Sequence, residues 1–154
     1  MLQLTKRTEY GLIALVHMVD QGGEYTSARE IAESYPIPKR LLAEVLKDLA
    51  RSGLVNSLRG STGGYALARP PEQITVGDIV SALEGAPTLA SCDTADGNAS
   101  DCEVEPVCPI RSPLQRIRKG IWLQMQRTSL RALVTPSPQA ADLPLTARNG
   151  PAAS

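Results

Sequence analysis

A chain of 154 residues, 42% of them apolar, suits one compact domain with appendages, and its single Trp and lack of Phe make any core aliphatic. No apolar run approaches the roughly 20 residues of a membrane span, and the opening MLQLTKRTEYGL lacks a leader's apolar stretch and cleavage site, so the expected place is the cytoplasm. The net charge of zero hides blocks: nine Lys/Arg against seven Asp/Glu over residues 1–70, none against eight over 71–109, and six against none over 110–134.

A first helix is expected from about Thr5 to Asp20, closed by Gly22-Gly23. Its middle, YGLIALVHMV, is apolar almost all round, as in a helix buried on more than one side. His17, the only histidine, lies in that run and reads as a core or interface residue, and no acid–base set is left to suggest an enzyme. Glu9, in the first turn, is favoured by the helix dipole.

Ser27 followed by Glu30 is a capping box, and the helix it opens places Ala28, Ile31, Ala32 and Tyr35 on one face. Tyr35-Pro36 stops it. A second helix starts at Pro38, with Leu41, Leu42, Val45, Leu46 and Leu49 inward and Lys39, Arg40, Ala43, Glu44, Lys47 and Arg51 outward, and Gly53 closes it. Two short helices joined by a tight turn, the second basic and amphipathic, make a helix-turn-helix pattern.

Leu54–Leu58 and Tyr65–Ala68 then read as strands around the turn Arg59-Gly60-Ser61-Thr62-Gly63-Gly64. A hairpin directly after a recognition helix is the wing of a winged helix, and Arg59 at its shoulder suits a phosphate or a narrow minor groove. The glycines do not read as a nucleotide loop, because a strand follows where a phosphate loop opens a helix. Pro70-Pro71 is a stiff joint, and Thr75 caps a short helix with Val76, Ile79, Val80 and Leu83 inward.

Cys92, Cys102 and Cys108 follow, separated by nine and five residues, among Asp93, Asp96, Asp101, Glu103 and Glu105. In a reducing compartment such thiols point to metal or redox chemistry rather than a disulfide framework. A zinc site favours pairs two to four residues apart, which are missing here, and a reversible disulfide needs only two thiols. After Ser112-Pro113 a long helix repeats Leu114, Ile117, Ile121 and Met125 in a narrow seam, widened by Trp122 and Leu130, which suggests a dimer contact. From Pro136 the composition is that of a disordered tail. The expected organisation is a winged helix over 1–84, a cysteine loop for metal or redox chemistry over 85–110, a dimerisation helix over 111–134 and a tail over 135–154. The fold class is mainly α with a small β wing.

Three stretches, LTKRTEYGL, SGLVNSLRGSTGGYALARPPEQITVGDIVSALEG and the cysteines after them, resemble the bacterial winged-helix regulators of the IscR/NsrR family, over roughly residues 1–134. Within it the chain is most similar to regulators of sulfur-mobilisation-type iron–sulfur assembly. The resemblance implies a homodimeric transcription repressor with crossed long helices, controlled by a 2Fe–2S or 4Fe–4S cluster on Cys92, Cys102 and Cys108, and sensing iron–sulfur supply or redox or nitric oxide stress. It departs from the family's usual five-and-five cysteine spacing in its longer first gap, which costs little in closure entropy. Arg111 stands where assembly regulators carry a ligating histidine, so a fourth ligand must come from elsewhere. In some members an acidic residue from the partner's first helix serves, which makes Glu9 the candidate beside its dipole reading. A variant pairing that Glu with a His four residues on is disfavoured by Ile13.

The expected nucleic-acid partner is double-stranded promoter DNA with a roughly palindromic site. Lys39 and Arg40 lead into the major groove, Glu44 accepts from a cytosine amino group, Ser27 and Lys47 add contacts, and Arg59, Gly60, Gly63 and Gly64 follow the backbone. The dimer seam is Leu114, Ile117, Ile121, Trp122 and Met125. Two rival readings are a metal-free regulator that senses oxidants through its thiols, and a winged-helix module that binds protein.

Overall fold

The computed structural model describes residues 3–60, 63–85 and 107–134. Helix α1 (Lys6–Asp20) starts where the Thr5 side chain accepts from the Thr8 N–H, and it ends at Gly22 and Gly23, whose φ values of 68° and 98° lie in the left-handed region. Its Ala14, Leu15 and Met18 are fully buried. Tyr10, Leu12, Ile13, Val16 and Val19 are half-buried against the same core, so the apolar circumference expected from the sequence is divided between core and rim. His17 packs edge-on against Tyr35 at 5.6 Å between ring centroids, the core-type contact expected of it.

The capping box forms as the sequence predicts: the Ser27 hydroxyl accepts from the Glu30 N–H and the Glu30 carboxylate accepts from the Ser27 N–H. Helix α2 (Ala28–Ser34) buries Ile31 and stops before Pro36. Helix α3 (Lys39–Arg51) begins one residue later than expected, with Pro38 outside it as the N-cap. Leu42, Val45, Leu46 and Leu49 are fully buried. These residues, with Ala14, Leu15, Met18, Ile31 and Ile79, form a single aliphatic core.

Strands β1 (Val55–Leu58) and β2 (Gly64–Leu67) pair antiparallel, with Val55 opposite Leu67 and Leu58 opposite Gly64. A third rung escapes the sequence reading. Thr26, just before α2, exchanges both backbone hydrogen bonds with Tyr65 at 2.9 Å. This bridge fixes the wing to the start of α2. It requires Gly64 to have no side chain, since a Cβ there would lie 2.6 Å from the Thr26 carbonyl oxygen.

After a 3₁₀ turn (Pro71–Gln73), helix α4 (Val76–Leu83) is capped by Thr75, whose side chain accepts from the Asp78 N–H. Ile79 and Val80 are buried as expected, whereas Val76 and Leu83 are half-buried. The single long helix expected over 111–134 is two helices, α5 (Arg111–Arg127) and α6 (Leu130–Val134). The break comes where the backbone is recruited elsewhere. The Val76 N–H donates to the Thr128 carbonyl at 2.8 Å and the Leu130 N–H to the Ile74 carbonyl at 2.7 Å. Leu130 therefore belongs to the core, fully buried beside Ile74, and not to the outer seam. Arg131 adds an ion pair to Glu72 at 2.9 Å and holds that carboxyl below its usual range. No described helix is long and apolar enough to cross a membrane.

Leu130→Ala should destabilise the protein by about 2–5 kcal/mol, the range for a truncated core leucine. Leu133→Ala, at an exposed position of α6, should change it by no more than about 0.5 kcal/mol. Chemical denaturation of the two variants checks the assignment of Leu130 to the core.

Candidate nucleic-acid interface and cysteine site

Helix α3 carries the electrostatic signature. Helices α1, α2 and α4 each place an acid in the first turn, namely Glu9, Glu30 and Asp78. That arrangement complements the positive end of the helix dipole. Helix α3 has no acid there and opens on Lys39 and Arg40, with no side-chain cap at Pro38. Cations at this end oppose the dipole by some tenths of a kcal/mol each, and the N-cap gives the first backbone N–H groups no side-chain acceptor. A local cost of this kind has a ready explanation if an anion arrives at that end.

Every outward residue named from the sequence is exposed: Lys39, Arg40, Ala43, Glu44, Lys47 and Arg51. Arg40 reaches Glu44 at 3.5 Å with its side chain 93% exposed. Such an exposed pair is worth a few tenths of a kcal/mol, so neither partner is held firmly. Lys39 and Lys47 have no ion pair among the described residues. Arg59 is exposed at the end of β1, and Gly60 turns with φ of 121°.

Three candidate contacts have structural duties already. The Ser27 hydroxyl and backbone N–H serve the α2 cap, and the N–H, followed by the hydroxyl, holds the Glu30 carboxyl below its ordinary value. Gly64 is buried beneath Thr26, and Gly63 lies so near the carbonyl oxygen of Leu58 that a Cβ would fall 2.2 Å from it. Both glycines are required by the wing's own geometry.

Of the three thiols, only Cys108 lies within the described residues, half-buried and just ahead of α5. Cys92 and Cys102 fall outside them. Glu9 is half-buried, and its carboxylate is paired with Lys6 of the same turn. Among the described residues no three His, Cys, Asp or Glu side chains group as a metal site. The N-terminal turn of α1 is nonetheless tied to the edge of the cysteine stretch. Thr5 donates from its backbone N–H at 2.9 Å and from its hydroxyl at 2.5 Å to the carboxylate of Glu84, the residue after α4. Partial burial pushes the Glu84 carboxyl up, but the Thr5 donors and the nearby Thr8 hydroxyl bring it net below its usual range.

Helix α5 has no buried residue. Of the expected seam, Leu114, Ile121, Trp122 and Met125 are half-buried and Ile117 is 53% exposed. The helix rests on α4, where the Gln126 side chain covers Gly77. Leu123, 41% exposed, was not singled out by the three-and-four spacing.

A winged helix with this connectivity agrees with a family profile described as an iron-dependent transcriptional regulator, which matches residues 4–136. The chain belongs to the Rrf2 family. This Rrf2 protein is a winged-helix, DNA-binding transcription regulator. Among solved structures it is similar to CymR of B. subtilis, described as that organism's global cysteine regulator, at 29% identity and TM-score 0.67, over 87% of this chain and 97% of that one. It is similar to IscR of T. potens at 27% identity and TM-score 0.64, over 96% and 93%. An oxidized form of S. aureus CymR matches at 26% identity and TM-score 0.67, over 88% and 98%.

Lys39→Ala should weaken binding to all duplexes nearly alike and lower the slope of log affinity against log salt by about one. Arg59→Ala should cost about 1–3 kcal/mol if its guanidinium enters a groove. Fluorescence anisotropy across a salt series separates the two.

Proposed function

We propose that this Rrf2 regulator is a homodimeric repressor whose affinity for promoter DNA is set by an iron–sulfur cluster. The observation that carries the reading is the placement of the three-cysteine stretch between two fixed elements. It leaves the end of α4 after Glu84, which Thr5 holds at the start of α1, and ends at Cys108, shortly before α5. The donor set fits such a cluster: thiolates are the ordinary ligands of iron–sulfur iron, and clusters normally take four ligands. Cys92, Cys102 and Cys108 would hold it. Glu9, which would have to leave Lys6, is the fourth candidate, ahead of Asp101, Glu103, Glu105 or a water. The bound cluster would supply iron whose ligation and oxidation state respond to iron–sulfur supply, oxidants or nitric oxide.

The DNA-facing residues in this reading are Lys39, Arg40, Glu44 and Lys47 on α3, with Arg59 and Gly60 on the wing and Ser27 at the α2 cap. The dimer forms through the outer stripe of α5, where an exposed Ile117 and Leu123 favour a second copy. Two wings related by a dyad would read a roughly palindromic site. Five acidic residues and no Lys or Arg over 85–108 make the stretch self-repelling without a cation. Its order, and through α5 the spacing of the two recognition helices, would then follow the state of the site.

A second reading has an observation of its own. The similarity to CymR includes a structure of an oxidized form. A metal-free regulator that senses oxidants through Cys92, Cys102 and Cys108 would use the same scaffold. Protein purified without oxygen should absorb in the visible and contain iron and sulfide, and each of Cys92→Ala, Cys102→Ala and Cys108→Ala should lose or destabilise that colour. A colourless, iron-free wild-type protein whose DNA affinity changes with reversible thiol oxidation would establish the second reading instead.

Replacing Ile117 and Ile121 together by Glu should yield monomers with weak DNA affinity, because carboxylates buried without partners are costly. Sedimentation that still finds dimers would move the seam elsewhere.

A further inference from the structure

Asp48 lies on α3 one residue beyond the exposed stripe of Arg40, Glu44, Lys47 and Arg51. It points neither into the core nor freely into solvent. Its carboxylate receives two guanidinium groups from different elements. Arg7 of α1 donates to one oxygen, and Arg51 donates to the other at 3.0 Å. The side chain of Asp48 is 27% exposed, against 38% for Arg7 and 67% for Arg51, so the α1 contact is the better shielded. Ion pairs shielded in this way lose less to solvent and salt than pairs on an open surface.

The partner helix is itself fixed. Two residues before Arg7, Thr5 is bound to Glu84 through both its N–H and its hydroxyl. Four residues after Arg7, Gly11 brings α1 close to Val45 and Leu49 of α3 and to Leu83 of α4. The first turns of α1 are therefore a rigid reference against which α3 is set, and the Arg7–Asp48 contact is the polar link between the two helices.

Arg51 matters in the opposite sense. Positions 40, 44, 47 and 51 follow one another at helical spacing, so Arg51 continues the stripe that would face nucleic acid. Unlike Lys39 and Lys47, which have no ion pair among the described residues, Arg51 is held by Asp48. A held cation contributes less to indiscriminate phosphate binding.

We propose that Asp48 is a positioning residue for sequence recognition: it aligns α3 on α1 through Arg7 and withholds Arg51 from non-specific phosphate contact. Aligned base contacts give sequence discrimination, whereas a freed cation adds affinity for any duplex. Asp48 thus raises the ratio of specific to non-specific binding from both sides without touching DNA.

The test uses the full-length protein and a duplex it has itself selected from a random pool, with a scrambled duplex of the same composition as reference. Asp48→Asn should lower affinity for the selected duplex about tenfold, the scale of one misplaced base contact. It should also tighten binding to the scrambled duplex and steepen the log affinity–log salt slope by about 0.9, one added phosphate contact. Asp48→Glu should restore both. Arg7→Gln should lower affinity for the selected duplex by a similar factor at the wild-type slope, because Arg51 remains held. A residue with only a structural role would move both duplexes together. Equal losses on the two duplexes at an unchanged slope in Asp48→Asn would overturn the proposal. So would an Arg7→Gln protein with the wild-type ratio. Should Asp48→Asn fail to fold, Arg7→Gln together with Asp48→Glu decides the matter on the same measurements.

Discussion

The backbone clasp between residues 74–76 and 128–130 is the constraint on which the remaining architecture depends. The Val76 N–H meets the Thr128 carbonyl, the Leu130 N–H meets the Ile74 carbonyl, and Leu130 fills the core between them. Helix α4, the cysteine stretch and α5 are therefore one excursion, closed at both ends on the winged helix. A strand-like pair of backbone hydrogen bonds with a fully buried leucine beside it is not easily opened, since the exposed N–H and C=O groups and the vacated core would each carry a penalty. The length of the cysteine stretch can vary without moving its anchors, because closure entropy grows only slowly with loop length. The longer first cysteine gap is tolerable for that reason.

The same closure gives α5 its character. It is held at its C-terminal end by the clasp and against α4, and it keeps an outer stripe that is exposed among the described residues. An amphipathic helix with a solvent-facing Ile117 and no fully buried residue carries apolar surface that a second copy would cover. Cys108 lies shortly before the start of α5, and the clasp ties that helix back to α4.

At the start of α3 local stability is given up. Helices α1, α2 and α4 are capped and carry an acid in the first turn, as an isolated helix prefers, whereas α5, like α3, has neither. Helix α3 has two cations there and no side-chain cap, and its formation rests on the burial of Leu42, Val45, Leu46 and Leu49. Tertiary packing overrides the local electrostatic preference and leaves the first turn available for an anionic partner. The wing is set with comparable rigidity. The Thr26–Tyr65 bridge joins it to the start of α2, so Arg59 is carried on an element registered to the helix-turn-helix.

The sequence by itself determined the local elements. Ser27 and Glu30 announced a cap because capping requires those side chains at that spacing, and the four leucines and valine of α3 announced a buried face because helical periodicity is a property of neighbours in sequence. The wing hairpin was legible from its glycine turn between two short apolar runs, and the resemblance of its motifs pointed to the family that the profile match establishes. The tertiary structure decided what depends on residues far apart in the chain. Nothing local says that Thr26 pairs with Tyr65, that Arg7 and Asp48 meet, or that Thr5 finds Glu84. Three-and-four spacing assigned Leu130 to the outer seam because the pattern runs on past Arg127. Only the long-range claim of Ile74 and Val76 on the backbone at 128–130 breaks that helix and turns Leu130 inward, since the Leu130 N–H, given to the Ile74 carbonyl, cannot also continue the ladder of its own helix.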